Sequence, residues 1–274
     1  MTVIQSIILG IVQGLTEFLP ISSSAHLVIV PYLLNWEIPP AQAFVFDVLV
    51  QVATLAAVFS FFWSDISLIT KAFLKGLKDR APFSDPQSRL GWLLILATIP
   101  AGLLGVLIKG VVESLFSNPG ITGMFLFLTA GLLVLAEKIG KRNRALLQLS
   151  WQDALWIGFF QAIAIFPGVS RSGATISGGM IRDLERPASA RFAFLMSIPV
   201  MLAAGLLASI DLLHTPGLTE MLPIFIPGFI ASAITGYLVI RWLLRYLAQH
   251  TLYDFAIYCV VMGMITLVVS IIRT

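Results

Sequence analysis

Gln13 and Glu17 lie four residues apart inside a run that is otherwise apolar from about Ile4 to Leu34. That spacing puts an amide and a carboxylate on one face of a helix. Beyond Pro20 come Ser22, Ser23, Ser24 and His26. His26 with Glu17 makes an acid/base pair, and with Ser23 it sets a base beside a hydroxyl nucleophile. A second apolar run is broken in the same manner at Gln161–Thr175, which brings Gly168, Ser170, Arg171, Ser172 and Thr175. Ionisable groups at such depth in an apolar segment point to function by default.

Glu17 falls near the C-terminal end of its helical arm, where the helix dipole is unfavourable to a carboxylate. It therefore needs a proton, or a cation as partner. Arg171 is one candidate and a divalent metal is the other. Ser22–Ser24 and Ser170–Ser172 open the second arm of each run. Their free N–H groups and the positive dipole end form an anion site. Gly168 admits a close backbone approach, and the planar fork of Arg171 suits phosphate. The plainer reading, in which the serines only ease helix packing, fits one serine better than two matching Ser-x-Ser pairs.

What must position these residues is a membrane protein. The 274 residues are 58% hydrophobic and only 11% charged, with mean hydropathy +0.95; soluble domains carry about 25% charged residues. A net charge of +3 is too small to suggest nucleic acid. The single Cys259 excludes an intrachain disulfide and a cysteine metal cluster. No cleavable signal peptide is expected, since the first apolar run lacks a basic lead and carries Glu17. Six segments, roughly 44–63, 90–108, 121–137, 190–210, 222–243 and 253–272, fit transmembrane helices, which need about 20 apolar residues. The runs 4–34 and 153–181 divide around Pro20 and around Pro167-Gly168 into short arms. Each reads as a re-entrant helical hairpin.

At an offset of 148 residues Gly10 matches Gly158, Gln13 matches Gln161, Ser22 matches Ser170 and Ser24 matches Ser172. The chain is thus expected to be one integral membrane domain, 1–274, built from internal repeats of about 1–140 and 150–274. A hairpin plus three spans per unit turns the second unit upside down. The resulting topology puts fourteen of the 17 basic residues on one side, leaving Lys109 and Arg273 on the other and Arg171 in the hairpin. By the positive-inside rule both termini lie outside and the loops 64–89 and 138–152 face the cytoplasm. Asp47, Glu137, Asp211 and Asp254 read as solvated residues at segment ends, and His214 and His250 as loop residues. Where the first unit has Glu17 and His26, the second has Ile165 and Ala174. Such asymmetric chemistry in a symmetric frame favours a catalyst over a pore, with a lipid-phosphate transporter or flippase as the rival.

At Gln13-Gly-Leu-Thr-Glu17, Ser22–His26 and Pro167-Gly-Val-Ser-Arg-Ser-Gly-Ala-Thr175 the chain resembles the BacA/UppP family of undecaprenyl-pyrophosphate phosphatases. The resemblance covers essentially the whole chain. It implies a multi-pass protein of the bacterial plasma (inner) membrane, with termini on the periplasmic side. The activity it implies is hydrolysis of undecaprenyl pyrophosphate to the monophosphate, which recycles the lipid carrier of peptidoglycan synthesis and confers bacitracin resistance. It also implies a divalent cation, Mg2+ or Ca2+. Carried over, Glu17 is the essential acid, Ser23 the nucleophile, His26 the essential histidine and Arg171 the phosphate-binding arginine. Gln13, Ser22, Ser24, Gly168, Ser170, Ser172 and Thr175 support substrate binding. Many members have a second glutamate where this chain has Gln13, so the resemblance implies a cation held here by the Glu17 carboxylate and the Gln13 amide oxygen. The partners expected are the lipid substrate and membrane lipids, with a homodimer as the assembly considered.

Overall fold

The computed structural model describes all residues except 109, 111, 113, 114, 116, 117 and 274, and omits the side chains of 209, 211 and 213. Lys109, counted above on the poorer side, and the side chain of Asp211 lie outside the described residues. Among these, eleven α-helices occur: α1 Val3–Phe18, α2 Ser23–Leu33, α3 Pro40–Phe61, α4 Trp63–Lys78, α5 Pro86–Leu107, α6 Pro119–Ile139, α7 Trp151–Ile163, α8 Arg171–Ile181, α9 Arg186–Leu213, α10 Leu218–Leu247 and α11 Tyr253–Arg273.

Local chemistry sets many of the ends. Thr2 and Gln5 form a reciprocal capping box at α1, and Ser150 and Asp153 do so at α7. Pro40, Pro86 and Pro119 each stand in the first turn of a span, where their missing N–H leaves no bond unmade. α1 stops at Phe18 because Leu19 precedes Pro20 and takes an extended conformation.

Six helices, α3, α5, α6, α9, α10 and α11, are long and apolar enough to cross a membrane. Only 28% of the most apolar stretch of α11 is buried within the protein. An apolar helix that leaves such a surface open is stable in lipid rather than in water. The chain is an all-α, polytopic membrane protein. The two broken segments are the pairs α1/α2 and α7/α8. None of these four helices exceeds 16 residues, or about 24 Å of rise, so none crosses a hydrocarbon core alone.

α1 lies along α10, and α7 lies along α5 in the same way. Glycine permits both. A Cβ at Gly10 would collide with the Gly228 carbonyl, and one at Gly158 with the Ala97 carbonyl. The matched pair Gly10/Gly158 thus does one job twice. The shared core is built on Phe18, whose ring meets Phe194 edge-on at 5.5 Å, and Phe62 closes over the same Phe194.

Two sequence expectations are corrected. The stretch 64–89 is not a plain loop, because α4 occupies Trp63–Lys78. Its apolar side packs Ile69 inward, with Asp65 in the first turn and Lys75 and Lys78 in the last, which suits the helix dipole. Its charges hide it from a search for long apolar runs. Glu137 is not a solvated end residue. It is 5% exposed, pairs with Arg142 and Arg186 and accepts the Leu252 N–H.

Candidate active site

The two breaks meet. Both second arms start with the same device: Ser22 Oγ accepts the Ala25 N–H at α2, and Ser170 Oγ accepts the Gly173 N–H at α8. The partner serine stands beside each cap, with Ser22 and Ser24 hydroxyls 3.2 Å apart and Ser170 and Ser172 hydroxyls 3.1 Å apart. Ser22 and Ser170, the first serine of each Ser-x-Ser pair, are therefore N-caps. Each satisfies one of the N–H groups that the start of its helix leaves without a helix partner.

Glu17 is the centre of that junction. Its Oε1 takes Arg171 Nη2, and its Oε2 accepts the Ser23 hydroxyl at 2.5 Å and Gln13 Nε2 at 3.0 Å. The Glu17 side chain is 8% exposed and that of Arg171 24%. Arg171 also touches Met201 Sδ at 3.3 Å. A cavity of about 190 Å³ opens beside them, lined by Glu17, Ser22, Ser23, Ser24, Ser170 and Arg171 together with Gln51 and Met201.

The remaining expected residues surround the cavity instead of lining it. Ser172 Oγ donates to the Leu19 carbonyl and so ties the second break to the first. Thr175 Oγ1 donates to the Arg171 carbonyl at 2.7 Å, one turn back. Gly168 has φ 99°, and a Cβ there would strike the Thr122 carbonyl, so only glycine fits the turn. Its N–H reaches Ser24 Oγ at 3.5 Å. Gln13 is buried, and its Oε1 has no hydrogen-bond partner.

His26 departs from the expectation of an imidazole against Ser23. Nδ1 lies 2.7 Å from the Ser22 carbonyl and Nε2 lies 2.7 Å from Tyr258 Oη. A carbonyl only accepts, so Nδ1 carries the proton, and in the neutral ring Nε2 accepts from the tyrosine hydroxyl. Both nitrogens are thus engaged away from the cavity. What His26 holds is Ser22, whose φ of 72° is rare for a residue other than glycine.

Known proteins resemble the chain over nearly its whole length. A family profile described as "Bacitracin resistance protein BacA" matches residues 6–265. A protein of Thermomicrobium roseum named undecaprenyl-diphosphatase is 41% identical, with 98% of each chain covered. Proteins of the same name from Methanosphaera stadtmanae (39% identical, 98% of this chain and 99% of that one) and Desulforudis audaxviator (40% identical, 98% of each) are similarly close. The chain belongs to the BacA family.

In this BacA-family chain three contributors to the site escape the motifs. Gln51 of α3 lines the cavity, and its polar side chain within an apolar span was the available signal. Thr129 of α6 accepts the Ser170 N–H and donates to the Gly168 carbonyl, which fixes the second break. Tyr258 of α11 comes from 232 residues beyond His26. Neither Thr129 nor Tyr258 stands out from other hydroxyls in spans.

Proposed function

We propose that this BacA-family protein hydrolyses undecaprenyl diphosphate to undecaprenyl phosphate and inorganic phosphate, the reaction named for its relatives. The observation that carries the reading is the Glu17 carboxylate bridging the Ser23 hydroxyl and the Arg171 guanidinium at the edge of one cavity. An arriving pyrophosphate would compete with Glu17 for the Arg171 fork, which binds phosphate oxygens in pairs. Glu17 would then be free to take the Ser23 proton on Oε2. Ser23 Oγ would attack the terminal phosphorus as the bond to the bridging oxygen breaks, and the lipid monophosphate would leave. Water would next attack the phosphoserine while Glu17 returns its proton to the departing Ser23 oxygen. This releases inorganic phosphate that keeps both protons of the water, and restores the hydroxyl and the carboxylate. Arg171 and the N-termini of α2 and α8 would carry the charge that builds on the phosphoryl oxygens. Because both nitrogens of His26 are engaged, its part in this reading is to hold the Ser22 turn.

A divalent cation fits the donor set only in part supplied by protein. Among the described residues no three of His, Cys, Asp and Glu gather, but Gln13 Oε1 is buried without a partner beside Glu17. These two oxygens would hold magnesium or calcium if the pyrophosphate supplied others. A bound cation supplies neutralisation of the pyrophosphate charge.

In this reading the end carrying the basic loops faces the cytoplasm and both termini lie outside, in the bacterial inner membrane. α1/α2 and α7/α8 enter as hairpins of inverted repeats, about 1–140 and 150–274. The parallel packing of α1 on α10 and α7 on α5 supports that relation.

The test is phosphate release from undecaprenyl pyrophosphate by purified protein, with and without magnesium or calcium. Loss in Glu17→Ala, Arg171→Ala and Ser23→Ala, with a trapped phosphoserine in the wild type, is the expected result. Full activity in Ser23→Ala would replace the serine with direct water attack. A folded protein that binds the lipid and releases nothing would overturn the phosphatase reading in favour of transport.

A further inference from the structure

A second basic site lies at the end of the bundle where α3 and α10 finish and α9 begins. Here Arg191, Arg241 and Arg245, with Phe61, Tyr237 and Pro187, line a pocket of about 460 Å³. Five arginines at this end hold carboxylates: Arg142 and Arg186 on Glu137, Arg144 and Arg182 on Asp153, and Arg191 on Asp65. Arg241 and Arg245 are exposed, line the pocket, and have no acceptor among the described residues. Topology needs positive charge in a loop. It does not need guanidinium groups from two helices converging on one concavity.

The helix that carries them has the shape of an amphiphile's partner. Ile230, Ile234, Leu238, Arg241 and Arg245 follow one another at spacings of three and four, so they form one stripe along α10. Ile230, Ile234 and Leu238 are each more than half exposed, and the stripe turns from apolar to cationic within a single turn. Tyr237 meets Phe61 edge-on at 5.5 Å at the level of that change. The exposed Trp242 stacks on Tyr246 close by, the position that aromatic residues take at a membrane–water interface.

We propose that this pocket binds the phosphodiester headgroup of an anionic phospholipid, with its acyl chains laid along α10. Arg241 and Arg245 take the phosphate oxygens, and Arg191, already shared with Asp65, closes the far wall. Basic pockets between transmembrane helices favour anionic headgroups for this electrostatic reason. The site involves neither Glu17 nor Arg171 and stands whether or not the chain is a phosphatase.

Native mass spectrometry of the detergent-purified protein tests it, with phosphatidylglycerol, phosphatidylcholine of the same acyl chains, or inorganic phosphate added. The wild type is expected to retain one phosphatidylglycerol, much less phosphatidylcholine and no inorganic phosphate. R241Q/R245Q should lower phosphatidylglycerol retention about thirtyfold, the loss of two basic residues' attraction for an anionic headgroup. K75Q/K78Q removes the same charge from exposed positions of α4 and should leave retention nearly unchanged. R245E gives a second reading should the double exchange fail to fold. Equal retention of the two lipids, or equal loss in the α10 and α4 variants, would overturn the proposal and leave only diffuse charge.

Discussion

Glu17 is exposed at only 8% of its side chain and holds three donors, one of them charged. Its two oxygens do different work, with Oε1 on Arg171 and Oε2 on Ser23. Replacement by glutamine keeps the shape and removes both the charge and the proton acceptor. Phosphate release in Glu17→Gln should fall by at least about 100-fold, the usual worth of a positioned base, in a steady-state assay. Arg171→Lys keeps the charge and loses the planar fork, so its loss should be smaller, about tenfold. His26 and Tyr258 give a contrasting case. Tyr258→Phe leaves Nε2 buried without its donor, which should destabilise the fold by about 1–3 kcal/mol in a thermal melt. If His26 holds Ser22 and does not shuttle protons, the pH profile of phosphate release in that variant should match the wild type.

The helices are joined by devices that occur twice. Ser22 and Ser170 cap α2 and α8 in the same manner, and Gly10 and Gly158 let α1 and α7 approach a neighbour's backbone. Gly10→Val would force α1 away from Gly228, and overpacking of this kind costs about 1–3 kcal/mol, readable as a lower melting temperature. Because α1 carries Gln13 and Glu17, activity should fall by more than the lost stability explains. Asp153, at the first turn of α7 and outside the six spans, is held with equal care. Burial alone would push its pKa up, but hydrogen bonds from Arg144, Ser150 and Arg182 keep the carboxyl well below its ordinary value. Through that carboxylate the start of α7 is tied to Arg182, just past the end of α8, which fixes both ends of the second break.

For the whole molecule, charge is distributed by end. The buried carboxylates Glu137 and Asp153 and their four arginines sit where the basic loops gather, while Arg273 donates to the carbonyls of Tyr32 and Leu33 at the chain's other region of α2. The orientation proposed above is checked with single cysteines in a Cys259→Ala background. Lys78→Cys should react with a membrane-impermeant maleimide only after cells are opened, and Thr2→Cys in intact cells once an outer barrier is permeabilised. The reverse pattern would invert the topology.

Apolar run length determined the six spans, since the requirement to fill a hydrocarbon core is read residue by residue. The breaks at Pro20 and Pro167-Gly168 were equally legible, because proline and glycine act on their own backbone. Glu17, Ser23 and Arg171 stood out because charged and hydroxyl groups are conspicuous in apolar surroundings. Amphipathic α4 was hidden by its own lysines, and Glu137 passed for a solvated end because its arginines lie elsewhere in the chain. Only the tertiary structure decided that His26 turns from Ser23 to Tyr258, that Thr129 braces the second break, and that Arg241 and Arg245 share a pocket with Arg191. The reason is physical: a side chain's partner is set by which helices pack together, and helical spacing within one segment carries no record of a neighbour supplied from far along the chain.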